Sequence, residues 1–243
     1  LLYECLNTVT TGMQAHLSVV KLAVEKLKLF VQDSDQNLKY LGLLGLNNLM
    51  PEHAKIISDL KDIILDCMDD EDVTIRYRAI DLLCGVVNKK NISAIMSRLF
   101  KTAQSAEGEF KNFLVEKIIQ TCSKNTFENI SDFKWYLKLL IDMTELKHVS
   151  HGNMIANQLM EILIRVPKMR AFGVTQMVKL LTASHIINES AETSSIFEVL
   201  YAASWLVGEF ISESNESPKA VVEGMIQPRL ASLPPRIQAA YVQ

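Results

Sequence analysis

Two acidic runs present the densest oxygen donors in the chain, Asp33-Ser34-Asp35-Gln36-Asn37 and Asp70-Glu71-Asp72. Oxygen ligands at alternate positions are how a calcium loop opens, but such a loop needs glycine at its sixth position and a bidentate glutamate at its twelfth. Counted from Asp33 these positions hold Leu38 and Leu44, and counted from Asp70 they hold Ile75 and Asp81. The spacing instead predicts helix starts, where acidic side chains cap free amides and face the positive end of the helix dipole. His148 and His151 stand three apart with Glu145 upstream, but no third ligand follows at a fixed spacing, so a solvated or packing role is expected rather than a zinc site. His16, His53 and His185 are isolated. The GxSxG, HExxH, GxxxxGKS/T and GxGxxG patterns are absent from the sequence. The expectation is therefore no catalytic, cofactor-binding or metal residues, and a chain that is not an enzyme.

Other reactive or charged groups read the same way. Cys5, Cys67, Cys84 and Cys122 form no CxxC pair, and they are expected to be small core residues in a reducing compartment. Lys89-Lys90, and Lys168 with Arg170, form small basic clusters at helix junctions and are expected to be solvated loop ends, with contact to anionic lipid or an acidic partner as the alternative. Tyr40, Tyr77, Trp135, Tyr136 and Trp205 lie at helical spacing among aliphatic residues and are expected to pack in the core. A net charge of −3 with a pI near 6.0 gives no support for nucleic-acid binding. No run reaches the roughly 18 apolar residues that a membrane span needs, and Leu1-Leu2-Tyr3-Glu4-Cys5 lacks the basic start of a signal peptide. The chain starts without Met, which suggests a piece of something longer.

The elements that must position these residues are helical. Apolar residues make up 49% of the chain, while nine glycines and six prolines in 243 residues are about half the share of average usage, which argues against a turn-rich all-β chain. Leu17, Val20, Val24, Leu27 and Val31 recur at steps of three and four, with Lys21, Glu25 and Lys28 on the opposite side. Ile56, Leu60, Ile63, Ile64 and Cys67 predict a helix over 54–68, and Phe133, Tyr136, Leu137, Leu140 and Ile141 one over 131–146. Further helices are expected at 36–50, 73–87, 91–105, 109–123, 153–166, 169–184, 196–211, 218–226 and 235–243, and no convincing strand is found. Ser195 with Glu198 forms a capping box, and Ser217 precedes a first-turn Pro218. All six prolines fall at predicted boundaries, whereas Gly42, Gly173 and Gly208 fall within helices, where a close neighbour is the expected reason to tolerate a cost of about 1 kcal/mol. The run 196–211 is apolar nearly all round, which predicts a buried central helix with Ala202, Ala203 and Gly208 admitting neighbours. The polar stretches 188–194 and 212–217 are too short to separate domains, so residues 1–243 are expected to form one continuous segment.

The most informative feature is a repeat. Asp33-Ser34-Asp35-Gln36-Asn37-Leu38-Lys39-Tyr40-Leu41-Gly42-Leu43 returns 37 residues later as Asp70-Glu71-Asp72-Val73-Thr74-Ile75-Arg76-Tyr77-Arg78-Ala79-Ile80, and Leu46 falls onto Leu83. The period is close to that of HEAT and armadillo arrays. Helix pairs of this length cannot bury their apolar faces alone, so the fold class is all-α, an ARM/HEAT-like α-solenoid of stacked antiparallel helix pairs used for binding. Tyr40 and Tyr77 should occupy equivalent positions in successive pairs.

The repeat segments, with Val87-Asn88-Lys89-Lys90-Asn91 after the second, resemble the large-subunit adaptins of vesicle coat complexes. His151-Gly152-Asn153-Met154-Ile155-Ala156, Glu198-Val199-Leu200-Tyr201-Ala202-Ala203 with Gly208-Glu209-Phe210, and Pro228-Arg229-Leu230 through Ile237-Gln238-Ala239-Ala240-Tyr241-Val242-Gln243 narrow the resemblance to one subunit type of that family. It extends over nearly the whole chain, with one departure at Thr10-Thr11-Gly12, where the family pattern is several residues longer. The resemblance implies a trunk fragment without hinge and ear, acting as a non-catalytic scaffold in a heterotetrameric adaptor complex. The implied partners are small, medium and second large adaptor subunits, with an Arf-type GTPase and dileucine-type sorting-signal cargo met through the assembled complex. The implied location is cytoplasmic, peripheral on Golgi and endosomal membranes, with cargo moving toward lysosomes and related organelles. No partner-binding residue is carried over. The alternative is an importin-like peptide carrier, but its regular ladder of tryptophan and asparagine is not seen with only Trp135 and Trp205 in non-equivalent settings.

Overall fold

The structure is a computed structural model, and it describes residues 1–183, 196–226, 231 and 233–242. The expected Ser195 cap, His185, the 188–194 loop, the Pro228–Leu230 run and Gln243 lie outside the described residues. Among the described residues every regular element is a helix. The chain divides into two compact units, Leu1–Asn88 and Lys89–Gln243.

The first unit holds α1 (Leu2–Gly12), α2 (Leu17–Val31), α3 (Gln36–Ser58), α4 (Lys61–Asp66) and α5 (Val73–Gly85). Each helix packs on its chain neighbour or on the next helix but one: α1 on α2 and α3, α2 on α3, α3 on α5, and α4 on α5. That connectivity is the signature of stacked helix pairs, because the face left open by one pair is covered by the following one. The α2 stripe is the expected one, with Val20, Val24, Leu27 and Val31 buried and Ala23 added. Leu17 departs from it: as the first helical residue after the α1–α2 turn it lies at the rim and is 51% exposed.

Gly42 and Gly45 set the distance between α2 and α3. A Cβ on Gly42 would stand 2.8 Å from Val31 Cγ2 and 2.9 Å from the Val31 amide nitrogen, and one on Gly45 would run into the Leu27 side chain. Pro51 stands at the expected break between helices: the α3 run continues past it only across a kink, with His53 leaving the helical region at φ −129°, ψ 32°. Proline takes away one intrahelical donor and crowds the carbonyl one turn back. The kink is held by the α1–α2 turn: Gln14 Nε2 donates to Asn48 O (3.1 Å) and also to Thr10 O, and His53 Nε2 stands 2.9 Å from Gln14 O. The helix expected over 54–68 is broken, because α3 ends with a tightened turn in which Leu60 N donates to Ile57 O, and α4 closes in a 3₁₀ turn over Cys67–Asp69.

The second unit holds α6 (Ile92–Ser105), α7 (Gly108–Phe127), α8 (Phe133–Met143), α9 (Gly152–Arg165), α10 (Arg170–Leu181), α11 (Phe197–Phe210), α12 (Pro218–Met225) and α13 (Pro235–Val242). Its contacts follow the same rule: α6 on α7, α8 on α9 and α9 on α10 as neighbours, with α7 on α9, α8 on α10, α9 on α11, α10 on α12 and α11 on α13 one step further. Lys124 leaves the helical region, and Asn125, Thr126 and Phe127 then take left-handed φ values of 48°, 57° and 64°. A left-handed non-glycine residue costs about 1–2 kcal/mol. The turn swings Phe127 into the core, edge-on to Phe133 with centroids 5.7 Å apart and 6.1 Å from Tyr136, and the burial of its ring offsets that strain.

The apolar helix α11 is central to this unit, contacted by α9, α10 and α13, with Ala202 and Ala203 buried. Two expectations about it are corrected. Trp205 is 42% exposed rather than in the core, resting edge-on against Phe210 at 6.3 Å. Gly208 is exposed, with nothing among the described residues within 4 Å of where a Cβ would sit, so close approach by them does not explain it. Gly173 does fit the expectation, since a Cβ there would meet Leu163.

Candidate functional site

The two copies of the repeat build the same local device. Asp33 Oδ1 accepts from the Asp35 amide (2.9 Å), and Asp35 Oδ1 accepts from Asn37 (2.7 Å) and Leu38 (3.3 Å) to cap α3. Asp70 Oδ1 accepts from the Asp72 amide (3.0 Å), and Asp72 Oδ1 accepts from the Thr74 amide (2.7 Å) to cap α5. The two capping residues have matching backbones, φ −76°, ψ 117° at Asp35 and φ −77°, ψ 117° at Asp72. These carboxylates are therefore occupied with backbone amides, and among the described residues no cluster of three or more His, Cys, Asp or Glu has the form of a metal site.

The copies are also joined to each other. Lys39 Nζ lies 2.6 Å from Asp70 Oδ2, and Arg78 Nη2 donates to Tyr40 Oη (3.2 Å) with its guanidinium 5.6 Å from the Tyr40 ring centre. Burial pushes the Asp70 carboxyl up. The Lys39 hydrogen bond, the Asp72 amide and the charges of Lys39 and Arg76 outweigh that and hold it below its ordinary value. Tyr40 and Tyr77 are both half-buried, one near the start of each repeated helix.

The remaining singled-out residues fall into structural positions. His148 takes a left-handed φ of 59° in an exposed turn, and His151 precedes α9; the turn is held by Ser150 N donating to Asn112 Oδ1 (3.0 Å). Lys89 and Lys90 are exposed turn residues, and Lys168 is exposed within a 3₁₀ turn over Pro167–Met169. Arg170 differs. Its Nε donates to Leu163 O (3.0 Å), Nη2 to Ile164 O (3.2 Å) and Nη1 to Glu213 Oε1 (2.9 Å), while its guanidinium lies 4.3 Å from the Phe210 ring centre. It thus caps the C-terminal carbonyls of α9 and ties them to α11, a role that only the fold reveals, since Glu213 is remote in sequence. Tyr136 is the one aromatic of the predicted set that is fully buried; its hydroxyl donates to Gln158 Oε1 (3.3 Å), and desolvation pushes its pKa well up. Cys67 and Cys122 are buried as expected, but Cys5 is exposed on α1.

A groove of about 640 Å³ opens among α11, α12 and α13, walled by Val207, Ile211, Val221, Met225, Ile226 and Tyr241. Ser204 and Gln238 add polar atoms, and among the described residues no carboxylate, imidazole or thiol lines it. Its described lining is mostly apolar, which suits apolar side chains. Sequence periodicity did not reveal it, because it lies between α11 and the short helices α12 and α13 rather than along any one of them.

Stacked helix pairs and a repeated aspartate cap define an all-α helical-repeat protein. The adaptin N-terminal region matches residues 1–243, and the chain belongs to that family. It is 43% identical over its full length to the AP-3 complex subunit delta-1 of Bos taurus and, again at 43%, to the AP-3 complex subunit delta of Dictyostelium discoideum, covering 21% of each. Against the Arabidopsis thaliana AP-3 complex subunit delta it is 35% identical, covering all of this chain and 27% of that one. The chain thus spans about a fifth to a quarter of these relatives. Its fold superposes on a chain of a homology model of the full-length AP-3 complex in an intermediate open conformation, with a TM-score of 0.76 at 23% identity over 99% of this chain and 46% of that one. Among the described residues no helix is long and apolar enough to cross a membrane.

Proposed function

We propose that residues 1–243 are a segment of the trunk of a delta-type large adaptin, a non-catalytic scaffold in a heterotetrameric adaptor complex that sorts membrane cargo. The observation that carries this is the 43% identity, end to end, with AP-3 delta subunits from an animal and an amoeba. Supporting it, the carboxylates of the two repeat copies are engaged as helix caps and in the Lys39–Asp70 ion pair. On this reading the two compact units belong to one continuous trunk. Its partners are a small, a medium and a second large subunit, with sorting-signal cargo and an Arf-type GTPase engaged by the assembled complex on Golgi and endosomal membranes.

The test is co-expression with the three other subunits of a delta-containing complex, followed by size exclusion. A stable, stoichiometric complex is expected. Failure to co-elute both as this chain and within the longer subunit overturns the reading.

A further inference from the structure

Ser217-Pro218 is the only Ser-Pro or Thr-Pro pair in the 243 residues. It stands in the exposed stretch between a 3₁₀ turn over Ile211–Glu213 and α12, and Ser217 is itself exposed. The backbone of Ser217 is extended, at φ −77°, ψ 118°, as the residue before a proline must be. Its hydroxyl makes no cap hydrogen bond, unlike the side chains of Asp35, Asp72 and Asp132 at the starts of α3, α5 and α8. An exposed, extended serine whose hydroxyl does not cap the helix, with proline on its C-terminal side, is the substrate form of proline-directed serine/threonine kinases. These read an extended strand and place at the next position a residue that has no N–H to satisfy.

We propose that Ser217 is a phosphorylation site for a proline-directed kinase, and that the phosphate acts on α12, one wall of the apolar groove. In the reaction the γ-phosphoryl group of ATP passes to Ser217 Oγ. The bond to the departing ADP breaks, the Oγ–P bond forms, and the hydroxyl proton goes to the kinase's catalytic carboxylate. The product carries close to two negative charges and three strong acceptors. The surroundings suit it: the first amides of α12 lack a side-chain acceptor, and Lys219 is exposed with only a 3.9 Å contact to Glu223. Of the nearby carboxylates, Glu213 is paired with Arg170, and Glu216 is half-buried with its amide bonded to Ser214 Oγ (3.2 Å). The phosphate therefore supplies to α12 the cap that aspartate supplies to α3 and α5, and it fixes the helix that carries Val221, Val222, Met225 and Ile226 along the groove.

The whole chain, incubated with ATP and a proline-directed kinase, is read by intact mass and peptide mapping. One phosphate on Ser217 is expected, lost in S217A and also in P218A, which keeps the hydroxyl and removes the proline. A chain left unmodified at Ser217, or P218A modified as well as the parent, overturns the site. Amide hydrogen exchange in α12 should slow in the phosphorylated chain; unchanged or faster exchange overturns the effect on the groove wall.

Discussion

Lys39 and Asp70 form an ion pair of 2.6 Å across the step between the two repeats, joining the basic position of the first copy to the leading aspartate of the second. The Asp70 side chain is 7% exposed and that of Lys39 24%, so the pair lies between a surface bridge and a buried one. Its free energy should lie between those cases too. A double-mutant cycle with Lys39→Met and Asp70→Asn should give a coupling of about 1–2 kcal/mol by chemical denaturation, above the exposed-pair median and below a fully buried pair. A coupling indistinguishable from zero would mean that this ion pair adds nothing to the apolar packing and the Arg78–Tyr40 contact that also join the repeats.

The same pair sets a pH dependence. The folded-state pKa of Asp70 is held below its ordinary value of 3.8, so the unfolded chain binds the proton first and stability rises with pH in that window. The contribution is present above 3.8 and is lost as pH falls through the folded value. At the alkaline end Lys39 is raised above 10.5, chiefly by its hydrogen bond to Asp70, so its contribution is complete below 10.5 and is lost as pH rises through the folded value. Denaturation midpoints for Asp70→Asn should fall less steeply on acidification than those of the parent chain.

Glycine substitutions should split by neighbour. Gly42→Ala places a methyl 2.8 Å from Val31 Cγ2 and 3.0 Å from Leu27 O, an overpacking that costs about 1–3 kcal/mol and outweighs the gain in helix propensity. Gly208→Ala meets nothing within 4 Å among the described residues and should stabilise by about 0.5–1 kcal/mol. Opposite shifts in melting temperature are the expected result, and a loss of stability in both variants would count against it.

That contrast also shows where sequence reasoning stopped. The bounds of α2 and the capping roles of Asp35 and Asp72 were legible because each depends on residues within a turn or two of chain. The solenoid connectivity was legible because the repeat copies its own contacts. By the same local logic Gly42 and Gly208 look alike, and they differ only in whether another helix passes nearby. Trp205 was expected inside because α11 is apolar nearly all round, yet α9, α10 and α13 leave one strip of it uncovered. The groove has no sequence signal either, since it consists of space between helices rather than of any periodic residue.

Arg170 should not tolerate lysine. Its planar guanidinium serves Leu163 O, Ile164 O and Glu213 at once while stacking over Phe210. Lysine keeps the charge but has no fork, so it can hold only part of this set and leaves helix-end carbonyls without their donor. Arg170→Lys should destabilise by about 1–2 kcal/mol, nearly as much as Arg170→Met. A lysine variant with the parent's melting temperature would reduce the arginine to a point charge.

The four thiols should separate by reaction rate. Cys5 is exposed on α1, whereas Cys67 and Cys122 are buried and Cys84 is intermediate. Cys67 is shielded twice: burial pushes its pKa up to about 11, against a smaller lowering by the Lys39 charge, and its Sγ is bonded to Ile63 O at 3.4 Å. Because the thiolate is the nucleophile, both effects slow alkylation. Mass-resolved labelling at neutral pH should therefore modify Cys5 first, with Cys67 and Cys122 reacting only as fast as the fold opens. Removing Lys39 takes away the one charge that lowers the Cys67 pKa and also breaks the pair that holds the two repeats together. If labelling of Cys67 tracks chemistry, Lys39→Met slows it; if it tracks opening, the same substitution speeds it. Opening is the expected limit, so faster labelling of Cys67 in Lys39→Met is the predicted outcome.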